Sequence, residues 1–329
     1  MLVRCPSPSR GSKFPAAVAD RSSPLEGARL RTARRGVAVR ARAACALAVA
    51  GLVLVAPVAR ADTFAGASGG FVYDDNLTRA QRDADIRADT AATVAASGGW
   101  FFVPTGQDGV SLSLHAEGQA YARFHGLDTI AAGAVARWRH KFGVGRDVPW
   151  IALALDVSHG AWRDDIRDGN RLDAKLEMGK RFGPTFDASL GVTLDRRTAD
   201  HDRPVVPGIS GKVFDLAGHS AFARAAWDVT PDLQVAARAD VRRGDVVSTT
   251  RINLEIFEAS DAIAADPAFG PDFFAYRLRG TTKTATLNLS YALGERASLN
   301  LTYADARTSA YDGLDYRNRA TTLALAWSF

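Results

Sequence analysis

The sequence predicts an all-β protein, a closed antiparallel transmembrane β-barrel of about 12 strands, and three observations predict it. Apolar and polar residues alternate with a period of two over segments of about ten residues. The connections between these segments alternate between short and long, and aromatic residues gather at the segment ends. Period-two alternation indicates strands with two different faces, which in a membrane barrel contact lipid and lumen.

The first 61 residues precede the barrel and are predicted to direct export. Arginines between positions 34 and 42 lie ahead of an apolar stretch at 43–58, and Ala59-Arg60-Ala61 supplies a small-x-small cleavage pattern. A membrane anchor is disfavoured because a spanning helix needs about 20 apolar residues. We therefore interpret 37–61 as a cleaved secretory signal peptide. Residues 1–36 are interpreted as an unstructured extension from an over-extended start, with initiation near Val37 or Val39.

Charge and cysteine usage exclude several classes of function. The chain has a net charge of +5 and a pI of about 9.4. Residues 1–61 hold eleven of the 41 basic residues but only two of the 36 acidic ones, so 62–329 carry a net charge of −4. No nucleic-acid partner is expected for a barrel with this balance. Cys5 and Cys45 both precede residue 62, so the barrel has no disulfide, cysteine nucleophile or cysteine metal ligand.

The strand segments follow one another along 62–329. In one of them Val110, Leu112 and Leu114 alternate with Ser111 and Ser113, and the others show the same period. An even number of strands brings both ends of the barrel to the same side of the membrane. The predicted strands are 63–75, 86–103, 110–124, 129–142, 150–160, 170–182, 185–197, 213–228, 232–243, 274–293, 297–309 and 316–329.

The connections divide into two sets. Short ones rich in Gly, Pro and Thr are predicted to be periplasmic turns: 105–109, 143–149, 183–184, 230–231 and 294–296. Mostly longer, polar ones are predicted to be extracellular loops: 76–85, 125–128, 161–169, 198–212, 244–273 and 310–315.

The segment 244–273 is the most ambiguous of these connections. Ile252, Leu254 and Ile256 alternate as a strand would. One further membrane crossing would, however, break the even strand count. We therefore interpret this segment as a structured extracellular loop that extends a hairpin or folds inward.

Aromatic residues support two interfacial belts. The tryptophans beside the short turns or the C-terminus are Trp100, Trp138, Trp150, Trp227 and Trp327, and Phe71, Tyr73 and Tyr276 approach the long loops. Amphipathic rings favour the headgroup level on both sides of a bilayer.

The last strand, 321–329, places Leu323, Leu325 and Trp327 at alternate positions before the terminal Phe329. This pattern resembles the C-terminal assembly signal of bacterial outer-membrane β-barrel proteins, with a porin-like architecture of no identified subfamily. The resemblance covers 62–329 at the level of architecture. It implies a location in the cell outer membrane of a Gram-negative bacterium. It also implies as partners the barrel insertion machinery, periplasmic chaperones, outer-membrane lipids and lipopolysaccharide.

No residue set indicates an enzyme. His219 and Ser220 are adjacent on a predicted strand, so their side chains point to opposite faces and cannot act together. The other histidines are scattered without metal-ligand spacing. We expect no catalytic residues, no metal and no cofactor.

The positions opposite the apolar face are predicted to line the lumen, and two functions remain open for them. Unbalanced charges would line a narrow pore for small hydrophilic solutes or ions. Paired acids and bases would instead plug the barrel, which would act through its extracellular loops as a surface receptor, adhesion or membrane-structural protein. Arg137, Arg139 and Lys141, which have no acid between them, favour a pore with an anion preference at its periplasmic mouth. The predicted lumen-lining residues are Arg87, Glu117, Arg137, Arg139, Lys141, Asp156, Asp173, Lys175, Glu177, Asp187, Arg238 and Asp240.

Overall fold

The computed structural model describes residues 61–310 and 313–329, and the predictions for 1–36 and for the signal peptide before Ala61 fall outside this part of the chain. Thirteen strands form one sheet. Twelve of them close an antiparallel barrel, which confirms the predicted fold class. The strands are β1 Ala61–Asp74, β2 Asp89–Phe102, β3 Asp108–Tyr121, β4 Thr129–Lys141, β5 Trp150–Trp162, β6 Gly169–Phe182, β7 Phe186–Ala199, β8 Leu216–Asp228, β9 Leu233–Arg251, β10 Ala262–Ala265, β11 Phe273–Ala292, β12 Ala297–Ala310 and β13 Asp315–Ser328.

Each barrel strand pairs with its neighbour along the chain, except that β9 pairs with β11 because β10 lies outside the barrel wall. β1 and β13 close the barrel, with Gly66 opposite Ser328 and Asp74 opposite Ala320. Closure leaves no unpaired strand edge in the wall, as a bilayer requires, since hydrocarbon offers no partners for free N–H and C=O groups.

The outer surface of the barrel carries an apolar band. Leu114, Val94 and Ile130 occupy outward positions and are more than 60 % exposed, and exposed apolar residues also occur along the other barrel strands. Small and aliphatic outward residues suit contact with lipid tails, which supply the apolar surroundings that a core supplies in a soluble protein. The described residues contain no helix long and apolar enough to cross a membrane.

The predicted strand segments all correspond to barrel strands, with boundaries that differ by a few residues at several ends. The largest difference is at the C-terminal end of β9, which is predicted to end at residue 243. β9 continues to Arg251 and β11 begins at Phe273, so the hairpin projects beyond the barrel wall. Between them lie the short helix α1, Leu254–Glu258, and β10. The expectation of a structured loop that extends a hairpin is confirmed, and the alternation of Ile252, Leu254 and Ile256 ends in α1 and not in a strand.

Three extracellular loops contain a 3-10 turn, and in two of them the aspartate that follows the turn ties it to a strand end. The turns are Asp83–Asp85, His125–Leu127 and Asp165–Arg167. The Asp128 carboxylate accepts the Tyr121 N–H at 2.8 Å, and that of Asp168 accepts the Trp162 N–H at 2.7 Å. Aspartate favours such turns because its short side chain can satisfy a nearby backbone donor. These loops form a fixed rim around the extracellular mouth.

Candidate functional site: the lumen and its extracellular cap

The lumen is lined by the residues that alternate with the exposed apolar positions. Of the predicted set, all but Arg87 lie at inward strand positions. They are Glu117 on β3, Arg137, Arg139 and Lys141 on β4, Asp156 on β5, Asp173, Lys175 and Glu177 on β6, Asp187 on β7, and Arg238 and Asp240 on β9.

The assignment of Arg87 to the lumen wall is wrong. β2 begins at Asp89, so Arg87 belongs to the loop between β1 and β2. Its guanidinium donates to the Ala84 carbonyl at 2.9 Å and lies 4.9 Å from the centroid of the Phe273 ring. The alternation continues through 86–88 in the sequence, but the Asp83–Asp85 turn ends the strand pairing there.

Many lumenal charges are paired across or along neighbouring strands. These contacts stabilise the wall only modestly, because ion pairs that remain accessible to water contribute little. On β6 they join successive inward residues of opposite charge, Arg171 with Asp173 and Lys175 with Glu177. The pairs are Arg171–Asp173 at 2.5 Å, Lys175–Glu177 at 2.6 Å, Arg181–Asp187 at 3.2 Å, Arg238–Asp240 at 3.3 Å and Arg242–Asp195 at 2.6 Å.

The lower lumen, on the side of the short turns, carries cations without counter-charges. Within 61–310 and 313–329, Arg137, Arg139, Lys141 and Arg224 have no carboxylate within 4.0 Å. A cavity of about 370 Å³ is lined by Arg137, Lys175, Glu177, Arg224 and Arg238, and by Thr286 and Asn288 from β11. The cations outnumber the single acid, so this part of the lumen favours anions.

The middle of the lumen is acidic. A second cavity, of about 620 Å³, is lined by Glu117, Asp156 and Asp173, with His115 4.0 Å from Asp156 and Arg171 at its edge. Asp156 lies directly opposite Asp173, which lies opposite Asp195 on the next strand. The described residues contain no group of three or more His, Cys, Asp or Glu side chains that could hold a metal ion.

The wall that faces these charges is neutral and made of small side chains. β13, β1 and β2 contribute Ala326, Ser68, Ala95 and Ser97 to the 620 Å³ cavity. Small residues keep this half of the lumen wide, so the free space lies between a charged wall and a neutral one.

Phe222 is a lumenal residue that the sequence reasoning missed. It occupies an inward position on β8 and is only 5 % exposed. The Arg238 guanidinium lies 4.0 Å from its ring centroid and the Lys175 ammonium 5.0 Å. Such cation–π contacts hold both cations beside the lower cavity. The available signal was the alternation of Ala221, Phe222 and Ala223, which puts the aromatic ring on the polar face.

The hairpin formed by β9 and β11 beyond the wall, with α1 and β10, covers the extracellular mouth, and we call residues 245–279 the cap. Its β9 arm reaches the loop between β1 and β2, where the Thr249 N–H donates to the Thr78 carbonyl at 2.7 Å. At its tip, Phe269 packs against Phe124 of the loop between β3 and β4, with the ring centroids 5.2 Å apart. β3 and β4 lie across the barrel from β9 and β11 in the strand order, so the cap spans the mouth.

Three apolar clusters hold the cap against the surrounding loops. The first joins β10 and β11 to the loops after β5 and β7, the second joins the cap to the loop after β12, and the third lies at its tip. Burial of this kind is the main stabilising contribution in a folded core. The clusters are Ile166, Ala199, Val213, Phe214, Ala262, Ala264 and Ala275; then Val246, Ile256, Ile263, Tyr276, Leu278, Leu314 and Tyr316; then Leu127, Phe269 and Phe273.

Buried polar contacts fix the cap in position. Arg167 binds Asp266 at 2.5 Å, and the Thr249 hydroxyl donates to the same Asp266 oxygen at 3.0 Å. The Arg167 guanidinium also lies 4.8 Å from the Phe214 ring centroid. Thr250 donates to the buried carboxylate of Asp85 at 2.5 Å. Asp266 is fully buried, so its interaction with Arg167 is desolvated and sensitive to the loss of either partner.

The cap bends away from the barrel wall at a row of glycines. Gly218, Gly244 and Gly280 lie side by side on β8, β9 and β11. Gly244 has a φ of 150°, and a Cβ atom there would lie 2.3 Å from the Ala217 carbonyl oxygen. Only glycine fits this close approach of two backbones.

The residues of the predicted assembly signal lie on β13 and beyond it. Leu323, Leu325, Trp327 and Phe329 are all exposed on the outer face. This is the side from which a membrane-inserted partner could contact them.

No family model matches this chain, and no curated protein matches it. Among solved structures it is similar to the COG4313 outer membrane channel from Pseudomonas putida F1, with a TM-score of 0.51 and 10 % identity over 84 % of this chain and 97 % of that chain. The outer membrane channel DcaP of Acinetobacter baumannii gives a TM-score of 0.43 and 9 % identity over 82 % of this chain and 97 % of that one. At this identity the first similarity shows the fold alone, which is that of bacterial outer-membrane barrels.

Proposed function

We propose that this protein is a narrow pore for small hydrophilic solutes or ions, with a preference for anions in its lower lumen. The observation that carries the proposal is a set of lumenal cations with no carboxylate within 4.0 Å among the described residues, Arg137, Arg139, Lys141 and Arg224. In a fully plugged barrel, unpaired cations beside an open cavity would not stabilise the fold, because like charges repel one another. A water-filled pore uses them to attract its solute.

The cap makes the extracellular mouth the narrow point of this pore. Its clusters are buried, whereas the cations Arg137, Arg139 and Arg224 below it are exposed. We therefore expect the resting conductance to be small and limited by the cap, with ion selectivity set by the cations below it.

The location follows from the same set of properties. We propose that residues 37–61 direct export as a cleaved signal peptide, and that the insertion machinery and periplasmic chaperones of a Gram-negative bacterium deliver the barrel to the outer membrane. The exposed alternate residues that end in Phe329 support this route. We propose no enzymatic activity, because the charged lumenal residues form ion pairs or line water and none is arranged as a nucleophile with its base.

Single-channel conductance of refolded residues 62–329 in a planar bilayer tests the pore. Discrete steps are expected, and the double variant Arg137→Glu and Arg139→Glu should shift the reversal potential towards cation selectivity. Lys180→Glu is the matched control, because Lys180 is an exposed cation at an outward position of β6 and should leave selectivity unchanged.

A barrel that folds but conducts no current would contradict the proposal and assign the function to the extracellular loops. Folding is checked independently by the shift in gel mobility between heated and unheated samples. Replacement of 252–272 by a short Gly-Ser turn separates the two parts of the proposal. It should raise the conductance severalfold if the cap limits a pore, and a silent barrel after this replacement would exclude a pore of any width.

A further inference from the structure

The outer surface of the barrel is electrically asymmetric at its extracellular end. On β2 to β6, the outward residues at the extracellular end of each strand include no Lys, Arg, Asp or Glu. These residues are Thr90, Ala92, Ala120, Ile130, Ala132, His159, Ala161 and Asn170. On β9, β11, β12 and β13 the corresponding level carries Arg243, Arg279, Lys283, Arg307, Arg317 and Arg319, all exposed, and we call these six residues the outer cationic patch.

Three cations of the patch lie side by side in one row of the sheet. Lys283 pairs with Arg307 on β12, which pairs with Arg317 on β13. Like charges directly opposite one another on neighbouring strands are destabilising. Asp305 accepts from Arg317 at 2.8 Å, which leaves the row with more positive than negative charge.

The row lies where the apolar band of the barrel ends. On the same strands, Leu287, Leu301 and Leu323 are exposed on the outer face below the row, and Tyr303 lies between band and row on β12. An exposed tyrosine above exposed leucines marks the headgroup level of a bilayer. The cations are therefore placed where lipid headgroups and not lipid tails would meet them.

The bend of the cap adds a groove beside this row. It has a volume of about 560 Å³ and is lined by Arg243, Arg279, Thr281 and Ser309, with Gly244 and Gly280 along its floor. Two acids are near. Asp245 lines the groove and accepts the Ala217 N–H at 2.8 Å, and Asp261 lies 3.8 Å from Arg279. Two guanidinium groups and two hydroxyls around a concave surface provide the donors that a phosphate group binds.

We propose that the outer cationic patch and its groove bind the phosphate groups of a phosphorylated glycolipid in the outer leaflet, of the lipopolysaccharide type. Arginine binds phosphate through two parallel hydrogen bonds, and the contact is stronger at a membrane interface than in bulk water. The acyl chains of the same molecule would cover the leucines below. This interaction does not depend on whether the lumen conducts.

Binding of purified diphosphoryl lipid A to the full barrel in neutral-lipid nanodiscs tests the proposal. Wild-type protein should bind it saturably and at least tenfold more tightly than dephosphorylated lipid A. Arg243→Gln with Arg279→Gln, and separately Lys283→Gln with Arg307→Gln, should each weaken binding by tenfold or more. All four side chains are exposed, so the variants should keep the wild-type shift in gel mobility on heating.

Lys180→Gln is the matched control, because it removes an outward cation from the opposite end of the barrel wall. Three results would overturn the proposal: equal binding by the patch variants, an equal loss in the control, or full competition by inorganic phosphate at the same concentration. The last result would indicate a free-phosphate site. Tighter binding of the phosphorylated glycolipid, with binding weakened only in the patch variants, would support the proposal.

Discussion

The cap and the lower lumen contain the same residue types, yet the two regions use them in opposite ways. Asp266 of the cap is buried together with Arg167 of the loop after β5, and Arg167 also lies against the Phe214 ring. In the lower lumen, Arg137 and Arg224 face an open cavity without a carboxylate partner among the described residues.

The difference between the two regions is the water around the charges. A buried charge must have a partner because its hydration is lost, so in the cap each charge fixes a position. A lumenal charge keeps its hydration and can remain unpaired, so it acts on the solute and not on the fold. The same arginine side chain is therefore structural at one end of the barrel and available for selection at the other.

The largest effect is expected from removal of a buried charge in the cap. Asp266→Ala removes the closer, fully buried counter-charge of Arg167 and leaves Asp164 at 3.4 Å. It should therefore lower the free energy of unfolding of the cap by about 3 kcal/mol, the lower end of the range for a broken buried ion pair. Hydrogen exchange of the amides of 262–277 measures this loss, with the barrel amides as internal reference. Asp261→Ala, which removes an exposed carboxylate of the same segment, should leave exchange unchanged. Equal protection in the two variants would mean that the ion pair does not hold the cap.

A smaller effect is expected at the bend between the regions. Gly244→Ala places a methyl group 2.3 Å from the Ala217 carbonyl oxygen at a φ of 150°, and should cost about 1–3 kcal/mol. The midpoint of the heat-induced gel shift reports this cost. Gly69→Ala is the control, because a Cβ atom there would lie 3.8 Å from the Thr93 carbonyl oxygen, an ordinary van der Waals distance. An unchanged midpoint for Gly244→Ala would show that the bend tolerates a side chain.

In the lumen the coupling between paired charges should be weak. Arg171 and Asp173 are 2.5 Å apart, but the Arg171 side chain is 63 % exposed. A double-mutant cycle with Arg171→Gln and Asp173→Asn should give a coupling energy of about 0.2–1 kcal/mol. Urea-induced unfolding in detergent measures it. A coupling as large as the effect of Asp266→Ala would remove the distinction between cap and lumen.

The smallest effect concerns pH and the loop after β5. Burial raises the pKa of the Asp164 carboxyl, although Arg167 beside it acts in the opposite direction. A raised pKa in the folded state means that the folded loop binds the proton more tightly. Its contribution to stability is therefore fully present below the unfolded pKa and is lost as the pH rises through the folded pKa. The protection factors of the amides in 163–168, which correct the exchange rates for the intrinsic effect of pH, should rise slightly on acidification from neutral pH. Asp164→Asn should remove that rise.

Much of the lumen could be predicted from the sequence because a strand in a membrane barrel has only two faces. Once Val110, Leu112 and Leu114 are assigned to the lipid face, Glu117 must face the lumen, because it is an odd number of residues away from them on the same strand. The same reasoning failed for Arg87, since alternation does not show where pairing stops. It also overlooked Phe222, because alternation places the ring on the polar face but does not show which cations of other strands, here Arg238 and Lys175, contact it.

The sequence by itself determined the barrel, its strand number, which ends of the strands carry short turns, and which charges lie on the inner wall. Each of these properties depends on period-two alternation or on turn chemistry within a few residues. The tertiary structure decided that 245–279 folds across the mouth, that Arg167 finds Asp266 and that six cations meet on one side of the outer surface. These contacts join residues that are distant in the chain, and they depend on the register between strands and on the bend at Gly244. The alternation of residues within one strand carries no information about the register between strands or about the bend.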